Sequence, residues 1–310
     1  MLHNTPDWAQ RHNFFHHSNP RSKPRSKDFF EKAHVRPQTT WAFDTLQNKE
    51  SSDADRLKAK DVLHRLYNQN GSAAMFAGTC VQSACDAILI TGTDESDAIS
   101  DTLEMYKSYK PRDWDKNDKP KKDKYIDEIA DVIKHALLGL REAMARENRI
   151  VGEFELNKHL PGLALPHNTR PDYMRRGDLK TKWSKLNPKS KSGFSAVSPP
   201  KKLSGMFEMN NVFQAAGFWA LNGHQPPFLV YASATDYQVF TPDNAPELQD
   251  DFLEDVVEHI RMHHKTTENL LRAASTKSDL LGLVSPNFSE LSWQESPAYV
   301  EEAKKIWGLI

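Results

Sequence analysis

The spacing of apolar residues changes period twice along the chain. Apolar positions recur every three or four residues over 57–69 (Leu57, Val62, Leu66, Tyr67) and over 78–89. They do so again over 125–147, where Ile126, Ile129, Ile133, Leu137 and Leu140 make one stripe. That spacing predicts three helices. A further helix is predicted over 94–109, entered through Thr93 or Asp94 as N-cap. A loop rich in lysine and aspartate is expected at 110–124. From residue 149 the period falls to two. Residues 149–156 (RIVGEFEL) predict a strand, 163–165 a second short one, and 170–174 with 178–183 a tight hairpin. Polar, basic, Pro- and Ser-rich residues 185–203 predict a loop. Helical spacing returns at 210–221, two strands follow at 228–234 and 237–240, and 250–274 is strongly amphipathic. A short helix is expected at 299–307.

Helices, a strand cluster, another helix and more strands predict an α/β fold, with a mixed central β-sheet flanked by helices. Three regions follow. Residues 1–56, rich in Asn, Ser, Pro, Lys and Arg with scattered aromatics (Trp8, Phe14, Phe15, Phe29, Phe30, Trp41), predict an extended N-terminal arm. Residues 57–245 predict the core, and 246–310 a C-terminal helical extension.

Composition narrows the class. The 310 residues carry 41 basic and 42 acidic side chains, a net charge of −1. That total argues against a polybasic tail and against an acidic disordered chain. It is a cancellation, however. Nine bases stand against one acid over 175–202, and 13 acids against 6 bases over 241–310. The basic segment predicts either a polyanion-binding surface or a solvated loop. There is no run of 18 apolar residues and no apolar stretch near the start, so neither a membrane span nor a secretory signal is expected. Cys80 and Cys85 are the only cysteines, too few and too badly spaced for a disulfide framework or a metal cluster, which points to a reduced, cytoplasmic setting. No phosphate-binding loop, dinucleotide glycine pattern or G-x-S-x-G elbow occurs.

The chemistry concentrates in residues 170–183, R-P-D-Y-M-R-R-G-D-L-K-T-K-W. With the turn at Arg175, Arg176 and Gly177, and a left-handed Gly177, Met174 opposes Asp178 and Asp172 opposes Lys180. Asp172, Asp178, Lys180 and Lys182 then share one face, with Tyr173, Leu179 and Thr181 on the other. Adjacent carboxylates repel unless a cation neutralises them. Hard oxygen ligands suit Mg²⁺ or Mn²⁺, and a lysine alongside stabilises charge on phosphate. Spacing alone leaves open an exposed hairpin with a simple Asp172–Lys180 ion pair.

Pro171-Asp172 followed by Asp178-Leu179-Lys180 resembles the PD-(D/E)xK nuclease signature, and D-L-K-T-K resembles its RecB-like branch, which includes phage exonucleases. The resemblance covers about residues 75–240 and implies a restriction-endonuclease-like core. It implies Asp172, Asp178, a strand glutamate (Glu155 in preference to Glu153 on the same face) and the Leu179 carbonyl as metal ligands, with Lys180 catalytic. Gln214 falls on the helix that carries a glutamine in that branch, with Phe218 where a tyrosine is usual. Gly78-Thr79-Cys80-Val81-Gln82 is similar to the branch's G-T-x-x-H, with Gln82 in place of histidine. His135 is the alternative occupant, or a partly buried helix residue. The compressed spacing from Asp172 to Asp178 also departs from the family. The implied activity is Mg²⁺-dependent DNA hydrolysis, exonucleolytic by preference, in phage DNA degradation, replication or recombination. A homo-oligomer or a single-strand-binding or recombination protein is the expected company. The alternative is a nuclease-fold module that binds DNA without cutting it.

Arg175, Arg176, Lys182, Lys185, Lys189 and Lys191 are the expected nucleic-acid contacts. Trp183 is expected either to stack on bases or to pack the hairpin. His259 and His263, four apart on a helix, have the spacing of a zinc pair but lack the glutamate that follows the first histidine in a zincin, so a helix surface is the stronger expectation.

Overall fold

The computed structural model describes residues 41–59 except 43, 47 and 49, then 72–111 and 116–276, and the single positions 279, 283 and 304. The chain divides into two compact units. The larger comprises Ala73–Tyr109 and Lys119–Asn269; the smaller comprises Met1–Ser72, Lys110–Asp118 and Leu270–Ile310. In the smaller unit, residues 41–42, 44–46 and 53–59 are helical where an extended arm is predicted up to 56. Ser52 caps the last of these by accepting from the Asp55 amide at 3.1 Å. Residues 1–40 of the predicted arm, 60–69 of the first predicted helix and all of 299–307 except Lys304 lie outside the described residues.

The larger unit opens with α1 (Ala73–Asp86), whose buried face is Ala73, Ala77, Cys80, Val81, Ala84 and Cys85. Small residues at helical spacing let the helix approach the sheet closely: a methyl group on Gly78 would sit 3.1 Å from the Thr181 hydroxyl. A π-helical turn, Ala87–Thr91, follows and ends at left-handed Gly92. The run Ala73–Thr91 is long and apolar enough to cross a membrane by length and composition. Here its buried face belongs to the core. Asp94 caps α2 (Glu95–Lys107) by accepting from the Ser96 amide at 2.8 Å, as predicted.

Helix α3 (Asp118–Ala143) starts two turns before the predicted 125. Those turns carry no apolar stripe to read. Proline in the first turn and an i,i+4 pair between Lys119 and Asp123 support them instead.

Three strands follow. β1 (Leu156–His159) and β2 (Pro166–Thr169) pair antiparallel, with Leu156 opposite Thr169. The same register continues beyond the ladder. The Phe154 amide donates to the Pro171 carbonyl at 3.2 Å, and the Met174 amide to the Val151 carbonyl at 2.9 Å. The chain then turns back through a Tyr173–Gly177 bridge into β3 (Gly177–Lys182). β3 leads to a small hairpin, β4 (Lys185–Leu186) with β5 (Phe194–Ser195), inside the predicted loop. Helix α4 (Met206–Leu221) crosses to β6 (Phe228–Ser233), parallel to β3, and β7 (Tyr237–Phe240) returns antiparallel to β6. Helix α5 (Asp250–Ala273) follows.

The sheet β3-β6-β7 is therefore mixed and lies between helices. Every residue of the central strand β6 is buried. Phe228, Val230 and Ala232 join Leu179 and Trp183 against α1 and α3. Leu229 and Tyr231 join Val212, Ala215 and Trp219 of α4 and Leu253, Val256 and Ile260 of α5. The first three turns of α5, within the predicted C-terminal extension, thus pack into the core. Each fully buried apolar side chain contributes about 1.5–3 kcal/mol.

Candidate active site

The hairpin into β3 differs from the predicted one by a single residue, and the difference matters. The turn is Met174-Arg175-Arg176, and Tyr173, not Met174, bridges across to Gly177. Left-handed φ falls on Met174 (54°) and Arg175 (59°), and Gly177 has no positive φ. Gly177 is needed for a different reason: a methyl group there would overlap the Phe228 ring on the neighbouring strand. Moving the turn by one residue shifts every pairing by two, which keeps the faces and sets Asp172 opposite Asp178 in place of the predicted Lys180.

Asp172 caps the free edge of β3. Its Oδ2 accepts from the Leu179 amide at 2.9 Å, and its Oδ1 accepts from Gln82 Nε2 of α1 at 3.0 Å. N–H and C=O of one strand residue point the same way. The Leu179 carbonyl therefore lies on the Asp172 side. Asp178, almost wholly buried, is within hydrogen-bonding reach of Asp172 and ion-paired with Lys180. Burial, with the Asp178 charge second, pushes the Asp172 carboxyl up to about 8. Burial and the neighbouring charge thus favour the protonated form of the Asp172 carboxyl.

Lys180 Nζ also donates to Gln214 Oε1 of α4 at 2.8 Å. The strand thus presents Asp178, Lys180 and Lys182 on the face that α4 covers, as period two predicts. α4 answers with polar residues three apart. Glu208 takes Lys182 at 3.1 Å, Asn211 Nδ2 donates to the Tyr231 hydroxyl at 2.6 Å, and Gln214 takes Lys180. Glu208 and Asn211 are absent from the sequence-based site; their threefold spacing with Gln214 was the available signal.

Asp86 is also absent from it. This residue lies one turn beyond Gln82 on α1, facing the Tyr173 hydroxyl. Burial raises both groups. The signal was the i,i+4 spacing from Gln82.

Several predicted residues lie elsewhere. Glu155 is half exposed and engaged by Asn168 Nδ2 at 2.6 Å and Arg170 at 3.9 Å. Among the described residues no group of three or more His, Cys, Asp or Glu is arranged to hold a metal ion, so Glu155 does not complete a carboxylate triad with Asp172 and Asp178. The physical reason is the β1–β2 ladder, which turns Glu155 toward the polar side chains of β2. His135 does not replace Gln82 either; its Nδ1 lies 2.9 Å from the Ser233 carbonyl, tying α3 to the end of β6. His259 is exposed on α5, and His264 Nε2, not His259, meets another imidazole, His167 Nδ1, at 3.1 Å.

The predicted nucleic-acid contacts divide. Arg176 is tied to Glu147 at 2.6 Å and to the Pro226 carbonyl at 2.7 Å, and Lys182 is paired with Glu208. Trp183 is buried against Tyr125, with ring centroids 4.9 Å apart, and donates to the Thr181 hydroxyl at 3.0 Å. These three side chains are tied up in the fold. Lys185, Lys189 and Lys191 are exposed on the β4–β5 hairpin. Arg175 is exposed at the turn before β3. A cavity of about 320 Å³ opens between α3 and the β4–β5 hairpin, lined by Glu128, Ser184, Phe194 and Thr235 among others. It shares only Lys182 with the polar strip.

No family model, curated protein or solved structure matches this chain.

Proposed function

We propose that this chain is a Mg²⁺- or Mn²⁺-dependent DNA nuclease of the PD-(D/E)xK kind, acting on DNA ends. The observation that carries the reading is the convergence of Asp172, Asp178 and Lys180 at one strand, with Gln82 and Gln214 brought in from two helices. The order of elements supports it: a helix, an antiparallel strand pair, β3, a crossover helix and a strand parallel to β3 follow the order that a restriction-endonuclease-like core uses. The donor set fits a hard divalent ion, because a buried carboxylate pair that retains a proton gains by exchanging it for a dication.

Asp172, Asp178 and the Leu179 carbonyl would hold the ion. When bound, it supplies charge neutralisation and Lewis acidity toward a phosphodiester. The protein's own groups do the rest. Gln82 fixes the Asp172 carboxyl in one orientation. Gln214 and Asp178 hold the Lys180 ammonium between them, aimed where charge develops on phosphate. The wall formed by Leu179, Trp183 and the core behind them limits water on the far side of β3.

The test uses the purified full-length chain and end-labelled DNA in Mg²⁺ or Mn²⁺. Wild type should release nucleotides, and EDTA should stop it. Lys180→Ala and Asp178→Asn should each lower the rate by about 100-fold or more. A full wild-type rate in Lys180→Ala would sink the assignment. A second reading, a binding module that does not cut, is favoured by one observation: Glu155 is engaged by Asn168 and Arg170 and leaves only two carboxylates together. DNA binding that survives EDTA, with no cleavage under any divalent ion, would select it.

A further inference from the structure

The turn before β3 is built from the wrong residues for its shape. The Arg176 amide donates to the Tyr173 carbonyl at 3.0 Å, and the two residues between them, Met174 and Arg175, both have positive φ. That is the φ pattern of a type I′ turn, in which Asn-Gly is favoured and side-chain-bearing residues are strained. Glycine at 175 would close the turn with less strain. Arginine there serves some purpose other than closing it.

Its surroundings indicate which. Arg175 is exposed, with its guanidinium carbon 4.0 Å from the centroid of the Phe154 ring. Phe154 is itself 37% exposed. The Phe154 amide is bonded to the carbonyl of Pro171, the residue immediately before Asp172, which fixes the Phe154 backbone beside the strand that leads to the carboxylate pair. Arg176, one residue on, is neutralised by Glu147, whereas Arg175 makes no ion pair among the described residues. A flat cation over an aromatic ring, exposed and three residues along the chain from each aspartate, is what a nucleobase stacks on whatever its sequence.

We propose that Phe154 and Arg175 form a stacking platform for an unpaired nucleotide of DNA entering the Asp172–Asp178 site. This rests on the nuclease reading and names its substrate: a single strand, or a frayed end, in preference to intact blunt duplex. Stacking fixes the direction from which the strand enters, and the arginine charge meets the adjacent phosphate.

The experiment measures fluorescence anisotropy of the full-length chain with a labelled single strand and with a blunt duplex of the same sequence, in EDTA. Thermal unfolding and cleavage in Mg²⁺ are run on the same samples. Arg175→Gly should raise the melting temperature, because it relieves a left-handed residue, while weakening single-strand binding about tenfold. Phe154→Leu should weaken it similarly. Arg175→Lys, which keeps the charge but not the plane, should recover only the small phosphate part of the loss and stay well below wild type. Wild-type affinity in Arg175→Lys would reduce the residue to a simple charge and overturn the platform. Unchanged binding in both Arg175→Gly and Phe154→Leu would also overturn it. A wild type that binds the single strand but never cuts ends the nuclease reading and leaves the platform standing. A wild type that binds no DNA ends both.

Discussion

Among single residues, Asp172 carries the most chemistry. Its proton stays on up to about pH 8 in the folded chain, because the site is buried and Asp178 adjoins it. An unfolded aspartate loses its proton near pH 4. Between those values the native state binds more protons than the unfolded state. The stability contributed by this proton is therefore complete below about pH 4 and is lost as pH rises through about 8. Asp172→Asn has no proton to lose and should flatten that part of the melting-temperature profile. It keeps the contact with Gln82, whose amide can reverse to accept. Mg²⁺ should raise the wild-type melting temperature at about pH 8.5, above the carboxyl's own value, and leave that of Asp172→Asn unchanged. An equal Mg²⁺ effect in both would place the ion elsewhere. The two cysteines stand at the other extreme. Cys80 and Cys85 are buried and free, and burial pushes the Cys80 thiol up to about 11 and Cys85 further. Both are inert packing residues.

Among the elements, β3 decides the site. Its face pattern was legible in D-L-K-T-K, because side-chain alternation depends on backbone pleat alone. The hairpin register was not. Glycine is the usual occupant of a left-handed turn position, so Gly177 is the residue a sequence would place there. Its actual role is close approach, with the Phe228 ring packed against its bare Cα. Gly177→Ala should therefore destabilise the fold by about 1–3 kcal/mol or more through overpacking, read as a lower urea midpoint with an unchanged slope. Gly193, which has a φ of 71° and open space around it, provides the contrast: Gly193→Ala should show backbone strain without a packing clash. If Gly177→Ala is neutral, the packing at the start of β3 is wrong. The early start of α3 escaped the sequence for a similar reason. Its first turns are held by a charge pair and a proline, which leave no apolar period to detect.

Over the molecule as a whole, the near-zero net charge of the sequence is a sum of unequal segments. Of the bases in the 175–202 segment, Arg176 and Lys182 are neutralised by Glu147 and Glu208, whereas Lys185, Lys189 and Lys191 stand exposed on the β4–β5 hairpin. Neutralising these three to glutamine should weaken DNA binding across all sequences. It should also flatten the dependence of log affinity on log salt by about one unit for each phosphate no longer neutralised. Titrations of wild type and the triple variant at several salt concentrations measure it; equal slopes would make the hairpin a solvated loop.

Periodicity alone was enough for the mixed α/β class, most of the described helices, strands β3, β6 and β7, and the shared face of Asp178, Lys180 and Lys182. These follow from the 3.6- and 2-residue repeats of the backbone and need no distant partner. The strands expected at 149–156 and 163–165, by contrast, form instead at Leu156–His159 and Pro166–Thr169. Which side chains meet was settled only by packing in three dimensions. Gln82 reaches Asp172 across 90 positions of sequence, and Lys180 reaches Gln214 across 34. Packing likewise turned Glu155 to the polar side of β1–β2, buried Trp183, and set Arg176 against Glu147. Such pairings depend on how whole elements dock, and a one-residue move of the turn before β3 is enough to exchange one partner for another.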